Sequence, residues 1–419
     1  MEIAVVGGGL AGLVAAWRLA ARHRVTLFER LARPGLAAHG VDVVHRGATL
    51  RVYYPGYYPT LVRLYDELGV ASEPVSYATS FSDETGAVYF RWRNLRWGDR
   101  SWPCVLPQDL RGVRARRIVR GALRFRAAAL PALARGELAG RTLAEFVEAE
   151  RIEPEFVAGL LLPAVATIAT CTMADAAAYP ADVVAAYHAG GLARQSVRRA
   201  CHGADDVTAR LLARVQRVVC DAGVTALRRE PGGVLLHRRG QAPERYDHVV
   251  LACAAPQARE LVADASADEA AVLAGFRCRP LTVLMHRDTT LMPARRADWS
   301  PVHAHVRAGA ERPESTIWIN AVQPALRDAA PLLQTVQPQR EPRAGTLLAE
   351  AHFERALVDA GSERSLAALH RLHREPGRRL WWAGAWAHRG VPLLEGAAAS
   401  ALAVAQAIEA GAAPPAGAG

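Results

Sequence analysis

The sequence predicts an α/β fold in which a domain built on a parallel sheet is interleaved with a second, α+β domain. Three observations predict it. Residues 1–30 read as strand, glycine turn, helix and strand. A second apolar strand running into a small-residue turn, Tyr246 to Cys253, lies far along the chain. A third, Arg379 to Ala383, precedes Gly384 and an Ala-rich helix from Glu395 to Glu409. The first domain is therefore assembled from the two ends of the chain and a middle segment.

The first unit carries the most chemistry. Glu2 to Val6 is a short apolar run with the look of a buried strand, and Gly7-Gly8-Gly9-Leu10-Ala11-Gly12 follows at once. This fits G-x-G-x-x-G, the fingerprint of a Rossmann-like dinucleotide site. Gly7 permits the tight turn, Gly9 lets the backbone approach a pyrophosphate, and Gly12 lets helix and strand pack closely. Leu10 and Ala11 open a helix whose free N–H groups and positive dipole end suit phosphate. Arg24 to Phe28 is the next strand, and Glu29, followed by Arg30, stands where a carboxylate can bind a ribose.

Arg33-Pro34-Gly35-Leu36 and a tyrosine-rich segment, Tyr53-Tyr54-Pro55-Gly56-Tyr57-Tyr58, come next, then a helix from Pro59 stopped by Gly69. Residues 75–106 alternate polar and apolar and read as strands around a turn at Asp83-Glu84-Thr85-Gly86. From Asp109 to about Val215 the pattern is mainly helical, and Ala204 to Val219 reads as one helix. Val234 to His237, 281–286 and 315–319 are further strands, and Pro324 to Pro342 reads as a proline-rich loop. The expected divisions are 1–70, 201–270 and 346–411 for the nucleotide domain, 71–200 and 271–345 for the substrate domain, and 412–419 for a disordered tail.

Composition narrows the chemistry. Hydrophobic residues make up 51% of 419, enough for a large core. All 51 basic residues are arginine, which excludes lysine Schiff-base chemistry and a P-loop. The net charge of +10 is compatible with an anionic membrane surface or an acidic carrier protein. Nucleic acid ranks lowest, because no binding module is recognisable and the arginines are spread along the chain. The 6 cysteines form no C-x-x-C and fit reduced thiols in the cytoplasm, with no metal site expected. The opening strand leaves no room for a signal peptide, and Phe156 to Ala174, interrupted by Gly159 and Pro163, reads as buried helices and a loop rather than a membrane span.

These motifs resemble the flavin-dependent amine oxidase superfamily. Beyond the N-terminal fingerprint, the resemblance rests on Tyr58-Pro59-Thr60-Leu61, Leu162-Pro163-Ala164-Val165, Trp318-Ile319-Asn320 and Trp381-Trp382-Ala383-Gly384-Ala385-Trp386. It extends most closely to bacterial NAD/FAD-binding oxidoreductases associated with cyclopropane-fatty-acid synthases. The resemblance implies an amine oxidase / glutathione-reductase-type flavoprotein. In it Gly7, Gly9 and Gly12 meet the FAD pyrophosphate, Glu29 the ribose, Arg33 and Gly35 the phosphates, and Val224 the adenine. Gly384, Glu395, Gly396 and Ala397 would close the site at the flavin ring. The chain departs from the superfamily at Leu36, at His202-Gly203 and at Gly47-Ala48-Thr49. The water-bridging lysine of many amine oxidases is absent. No cysteine follows Cys278, so FAD would be non-covalent.

Function follows as an expectation: an FAD-dependent oxidoreductase taking a hydride from a hydrophobic or amine-bearing small molecule, free or carrier-tethered. A redox-neutral flavin isomerase and a flavin-free carrier of the same fold are the alternatives. Substrate is expected between the tyrosine segment and the turn after Gly384, which nominates Tyr53, Trp386 and His388, with His388 as the acid–base. A structural role is the more frequent one for such a histidine, as it is for His39. His303 and His305 share a strand face without metal-binding partners.

Overall fold

In the computed structural model, residues 1–35, 52–97, 100–192 and 196–412 are described. His39, residues 47–49 and the tail from 413 lie outside them. Five parallel strands form one sheet in the order Leu380–Trp382, His248–Leu251, Glu2–Val6, Arg24–Phe28 and Arg217–Val219. The centre strand, Glu2–Val6, is covered on both sides, which is why it is apolar almost throughout. Ile3 and Val5 face one cluster, with Leu13 and Val14 of helix Leu10–Leu19 and Ala398, Ala401 and Val404 of helix Leu394–Ala412. Ala4 and Val6 face the other, with Ala258 of helix Ala255–Leu261 and Leu366 and Leu369 of helix Ala360–Leu372. The period of two along one strand thus sorts the chain into two cores.

A second, eight-stranded sheet runs in the order Leu347–Ala356, Cys278–His286, Leu333–Val336, Glu314–Trp318, Val302–His305, Thr79–Ser82, Val88–Trp97 and Arg100–Cys104. Its pairs are antiparallel except that of Val302–His305 with Thr79–Ser82. Two three-stranded sheets complete the β structure of the described residues: Val52–Tyr53, Val197–Ala200 and Ser72–Val75, and Val224–Glu230, Gly233–Arg238 and Glu244–Tyr246.

Three expectations from the sequence need correction. The helix expected to Val219 ends at Leu212, and Arg217–Val219 is the edge strand of the parallel sheet. The proline-rich stretch 324–342 contains an internal strand, Leu333–Val336, bonded on both sides. The eight-stranded sheet also runs past the boundary expected at 345, because Leu347–Ala356 pairs along its length with Cys278–His286. LLAEAHFERA is rich in helix formers, and sheet pairing overrides that preference.

Candidate cofactor and substrate site

The glycine turn is built so that each glycine meets a different constraint. Gly7 has φ +109°, and a Cβ there would lie 2.6 Å from the Ala252 carbonyl oxygen. A Cβ on Gly12 would lie 1.8 Å from the Gly7 carbonyl oxygen, so only glycine lets the helix start this close to the strand. Gly9 is the opposite case: it is exposed, has φ −71° and ψ 179°, and a Cβ there would meet nothing within 4 Å. The protein needs glycine at 7 and 12 for its own packing. At 9 it leaves open space at a helix N-terminus, where Leu10 and Ala11 begin the first turn.

Glu29 and its neighbours tighten this turn. Glu29 is 9% exposed; its Oε2 accepts from the Gly8 N–H at 2.6 Å and its Oε1 from the Leu31 N–H at 2.9 Å. The Gly35 N–H donates to the Gly8 carbonyl at 2.8 Å, and Gly35 has φ +119° with its missing Cβ facing Thr208. One glycine is therefore required at this point even though Leu36 follows it. Arg30 and Arg33 are exposed beside the turn. The Ala222 N–H donates to the Glu29 carbonyl at 2.9 Å, which lays Gly223 and Val224 alongside.

The last helix enters at the same end. Gly384 exchanges hydrogen bonds with the Ser400 hydroxyl, its N–H donating at 3.0 Å and its carbonyl accepting at 2.8 Å. A Cβ on Gly396 would lie 2.8 Å from the Ala385 carbonyl oxygen, so glycine lets the helix start press onto the 385–387 turn. The Glu395 carboxylate turns to another element: it accepts from the Thr60 N–H at 3.0 Å and the Leu61 N–H at 2.9 Å. Tyr58 provides no side-chain cap for helix Pro59–Leu68, and Glu395 supplies one from the other end of the chain. The Glu395 carboxylate is therefore engaged in joining the last helix to helix Pro59–Leu68.

Between these elements and the eight-stranded sheet lies a cavity of ≈ 380 Å³. Leu10 of the first helix and Leu393, Leu394 and Ala397 at the start of the last helix form one side. Leu281, Val283 and Phe353 of the sheet form another, and Tyr54, Tyr58, Tyr77 and Tyr187 a third. Both helices present their N-terminal ends to one space, and they pack against each other with Arg18 paired to Glu409 at 3.1 Å. The tyrosines support one another edge to face, Tyr57 on Tyr187 at 4.7 Å and Tyr54 on Tyr187 at 5.9 Å. The Tyr57 hydroxyl accepts from the Val391 N–H at 3.1 Å and so joins the tyrosine segment to the turn after Gly384. Burial pushes the Tyr77 hydroxyl up to about 12 and raises those of Tyr58 and Tyr187 further.

The three residues nominated for catalysis do not line this cavity. Tyr53 lies on a strand, so its ring points opposite to Val52 and Tyr54 and packs edge to face on Tyr65 at 5.4 Å. Trp386 is buried in the second core against Phe276, its indole N–H donating to the Cys253 carbonyl at 3.0 Å. His388 borders a separate cleft of ≈ 20 Å³ with Leu366, Glu363 and Arg389, where burial lowers its pKa. The cavity wall also holds Arg355, which no local sequence pattern sets apart from the other arginines.

Among the described residues, no group of three metal-ligating side chains is found, and no helix is long and apolar enough to cross a membrane. All six cysteines are free thiols.

Comparison with known proteins accords with this geometry. A family profile described as an NAD(P)-binding Rossmann-like domain matches residues 5–68. No curated protein matches the sequence. Among solved structures, the chain is similar to cyclohexylamine oxidase from Brevibacterium oxydans, with TM-score 0.64 at 16% identity over 97% of this chain and 99% of that one. It is similar to a conjugated-linoleic-acid-producing fatty acid isomerase from P. acnes, with TM-score 0.63 at 15% identity over 96% and 98%. An oxidoreductase from Methanosarcina mazei gives 0.62 at 15% identity over 97% and 100%. The N-terminal unit is thus matched as a Rossmann-like domain within a mixed α/β chain. Over nearly its whole length the chain shares its fold with these amine oxidase, fatty acid isomerase and oxidoreductase structures.

Proposed function

We propose that this protein is an FAD-dependent oxidoreductase that holds FAD non-covalently and oxidises a small molecule in the ≈ 380 Å³ cavity. One observation carries the reading: the first and last helices direct their N-termini at one space, and the Cβ-free face of Gly9 leaves the first of them open to a ligand. Gly7, Gly9, Leu10, Ala11 and Gly12 would hold the pyrophosphate, with Arg30, Arg33 and Gly35 beside it. Glu29 and Val224 would hold the adenosine end. The start of the last helix, at Leu394 to Ala397, would set its positive end against negative charge on a reduced ring. Residues 1–70, 201–270 and the chain from the 360–372 helix onwards would then be the cofactor-binding parts, and 71–200 with 271–356 the substrate-binding parts.

When bound, FAD supplies a two-electron acceptor for a hydride. The chain contributes position, dryness and charge. The aliphatic sheet face and the tyrosines exclude water from the reacting atoms. Tyr54, Tyr58, Tyr77 and Tyr187 stay protonated at neutral pH, because burial disfavours phenolate, so they can donate hydrogen bonds but are poor bases. No histidine, aspartate or glutamate is among the described residues of the cavity wall. That favours hydride transfer without a protein base, and it keeps an isomerase as the second reading, since a hydride taken and returned at another carbon needs no net proton acceptor. The test is the visible spectrum of the purified protein and the identity of what heat releases. Free FAD in the supernatant is expected. A colourless protein that takes up no added FAD overturns the reading in favour of a carrier.

A further inference from the structure

We propose that the cavity recognises a carboxylate-bearing substrate with an apolar body, and that Arg355 binds the carboxylate. The inference rests on the cavity being the substrate site proposed above. Arg355 is the only charged residue among the described residues lining the cavity. It lies on strand Leu347–Ala356, where Phe353 and Arg355 share the face turned to the cavity while His352 and Glu354 are exposed on the other. Its Nε donates to the Thr170 hydroxyl at 2.9 Å, which fixes the guanidinium plane.

The contrast with its neighbour across the ladder is informative. Arg279 stands directly opposite Arg355 and is held by Asp175 through two hydrogen bonds, one of them 2.9 Å long. Arg355 makes no ion pair among the described residues, although burial is severe enough to lower its pKa. A guanidinium partly withdrawn from water with no counter-ion is costly unless an anion arrives. Its planar fork of donors matches a carboxylate in two-point contact. The groups facing it are neutral: Tyr58, Tyr179, Cys171 and Thr170. An ammonium group would find no carboxylate among the described residues of the lining and would meet a like charge. The apolar and aromatic remainder, Leu281, Val283, Phe353 and the tyrosines, suits a hydrocarbon or aromatic tail. The lining thus points away from a cationic amine and towards an acid.

The test uses the purified full chain as isolated, with its flavin content measured first, and three probes of one length: octanoate, octan-1-ol and octylamine. Binding is read by calorimetry and, where flavin is present, by perturbation of its visible spectrum. Wild type is expected to bind octanoate at least ~10-fold more tightly than either of the others, the scale of one charge-assisted contact. Arg355→Gln should lower octanoate affinity by ~10- to 100-fold, leave octan-1-ol affinity and flavin content unchanged, and unfold at the wild-type temperature. Arg355→Lys, which keeps the charge and loses the fork, should fall between. Preference for octylamine, or undiminished octanoate binding in Arg355→Gln, overturns the proposal. So does loss of flavin from both variants, which would assign Arg355 to the cofactor. A wild-type protein without flavin that still prefers octanoate through Arg355 would overturn the oxidoreductase reading and leave this inference standing.

Discussion

Replacing Gly9 by valine separates what the glycine turn does for the fold from what it does for a ligand. The new side chain meets no protein atom within 4 Å at its Cβ, and the backbone at φ −71° is ordinary for any residue. The cost to folding is then the weaker N-cap, about 1 kcal/mol. The cost to a pyrophosphate is larger. Two methyl groups would stand between it and the first-turn N–H groups, and losing two charge-assisted hydrogen bonds amounts to about 3–6 kcal/mol, or ~100-fold or more in affinity. Gly12→Ala is the matched control. Its Cβ would overlap the Gly7 carbonyl oxygen at 1.8 Å, so it should lose at least about 1–3 kcal/mol of stability through overpacking. The assay is the ratio of flavin to protein absorbance in each purified variant, with the unfolding temperature measured alongside. Gly9→Val should be folded and empty, and Gly12→Ala destabilised. Wild-type flavin occupancy in folded Gly9→Val would refute the assignment of residues 7–12 to the phosphates.

Other outcomes follow from the same geometry. His388→Ala should leave flavin content and the rate of flavin reduction by substrate unchanged, because His388 lies in the separate cleft; a ~10²-fold slowing in stopped flow would return it to the mechanism. Glu395→Ala should cost about 1–2 kcal/mol in a denaturant melt, through loss of the cap on helix Pro59–Leu68, and an unchanged midpoint would count against that role. His303 is 2% exposed between the Ser80 and Ser82 hydroxyls, and burial lowers its pKa to about 3. Its folded value lies below the unfolded one, so the unfolded chain takes up the proton first. The stability is complete above about pH 6.5 and is lost progressively as pH falls towards 3, amounting to about 2 kcal/mol between pH 7 and 5. Urea melts at those two pH values should show His303→Asn losing about that much less than wild type, and an equal loss in both proteins would exclude His303 from the pH dependence.

What was legible in the sequence was whatever a local pattern dictates. Gly7 and Gly12 are demanded by backbone atoms within a few residues or in the adjoining strand, so the glycine spacing announced the turn and the parallel sheet around it. The tyrosine segment was legible as an aromatic wall but not in its facing. Which of Tyr53 and Tyr54 points to the cavity depends on the pairing of a two-residue strand with Val197–Ala200, far along the chain. Trp386 looked like a wall residue because it follows Gly384, yet a single turn of backbone carries its indole to Cys253 on the opposite side of the sheet.

Arg355 was invisible for a deeper reason. The role proposed for it rests on its making no ion pair among the described residues, which is a property of the assembled site rather than of any stretch of sequence. Arg279 and Arg355 stand directly opposite in the sheet, and of the two Arg279 is the one paired with Asp175. Asp175 is also held by the Thr172 N–H and hydroxyl in a capping box that starts the helix Met173–Ala177. That box and Arg279 together engage the carboxylate. The specificity proposed for the cavity depends on this contrast: Arg279 has a carboxylate committed to it, and Arg355 makes no ion pair among the described residues.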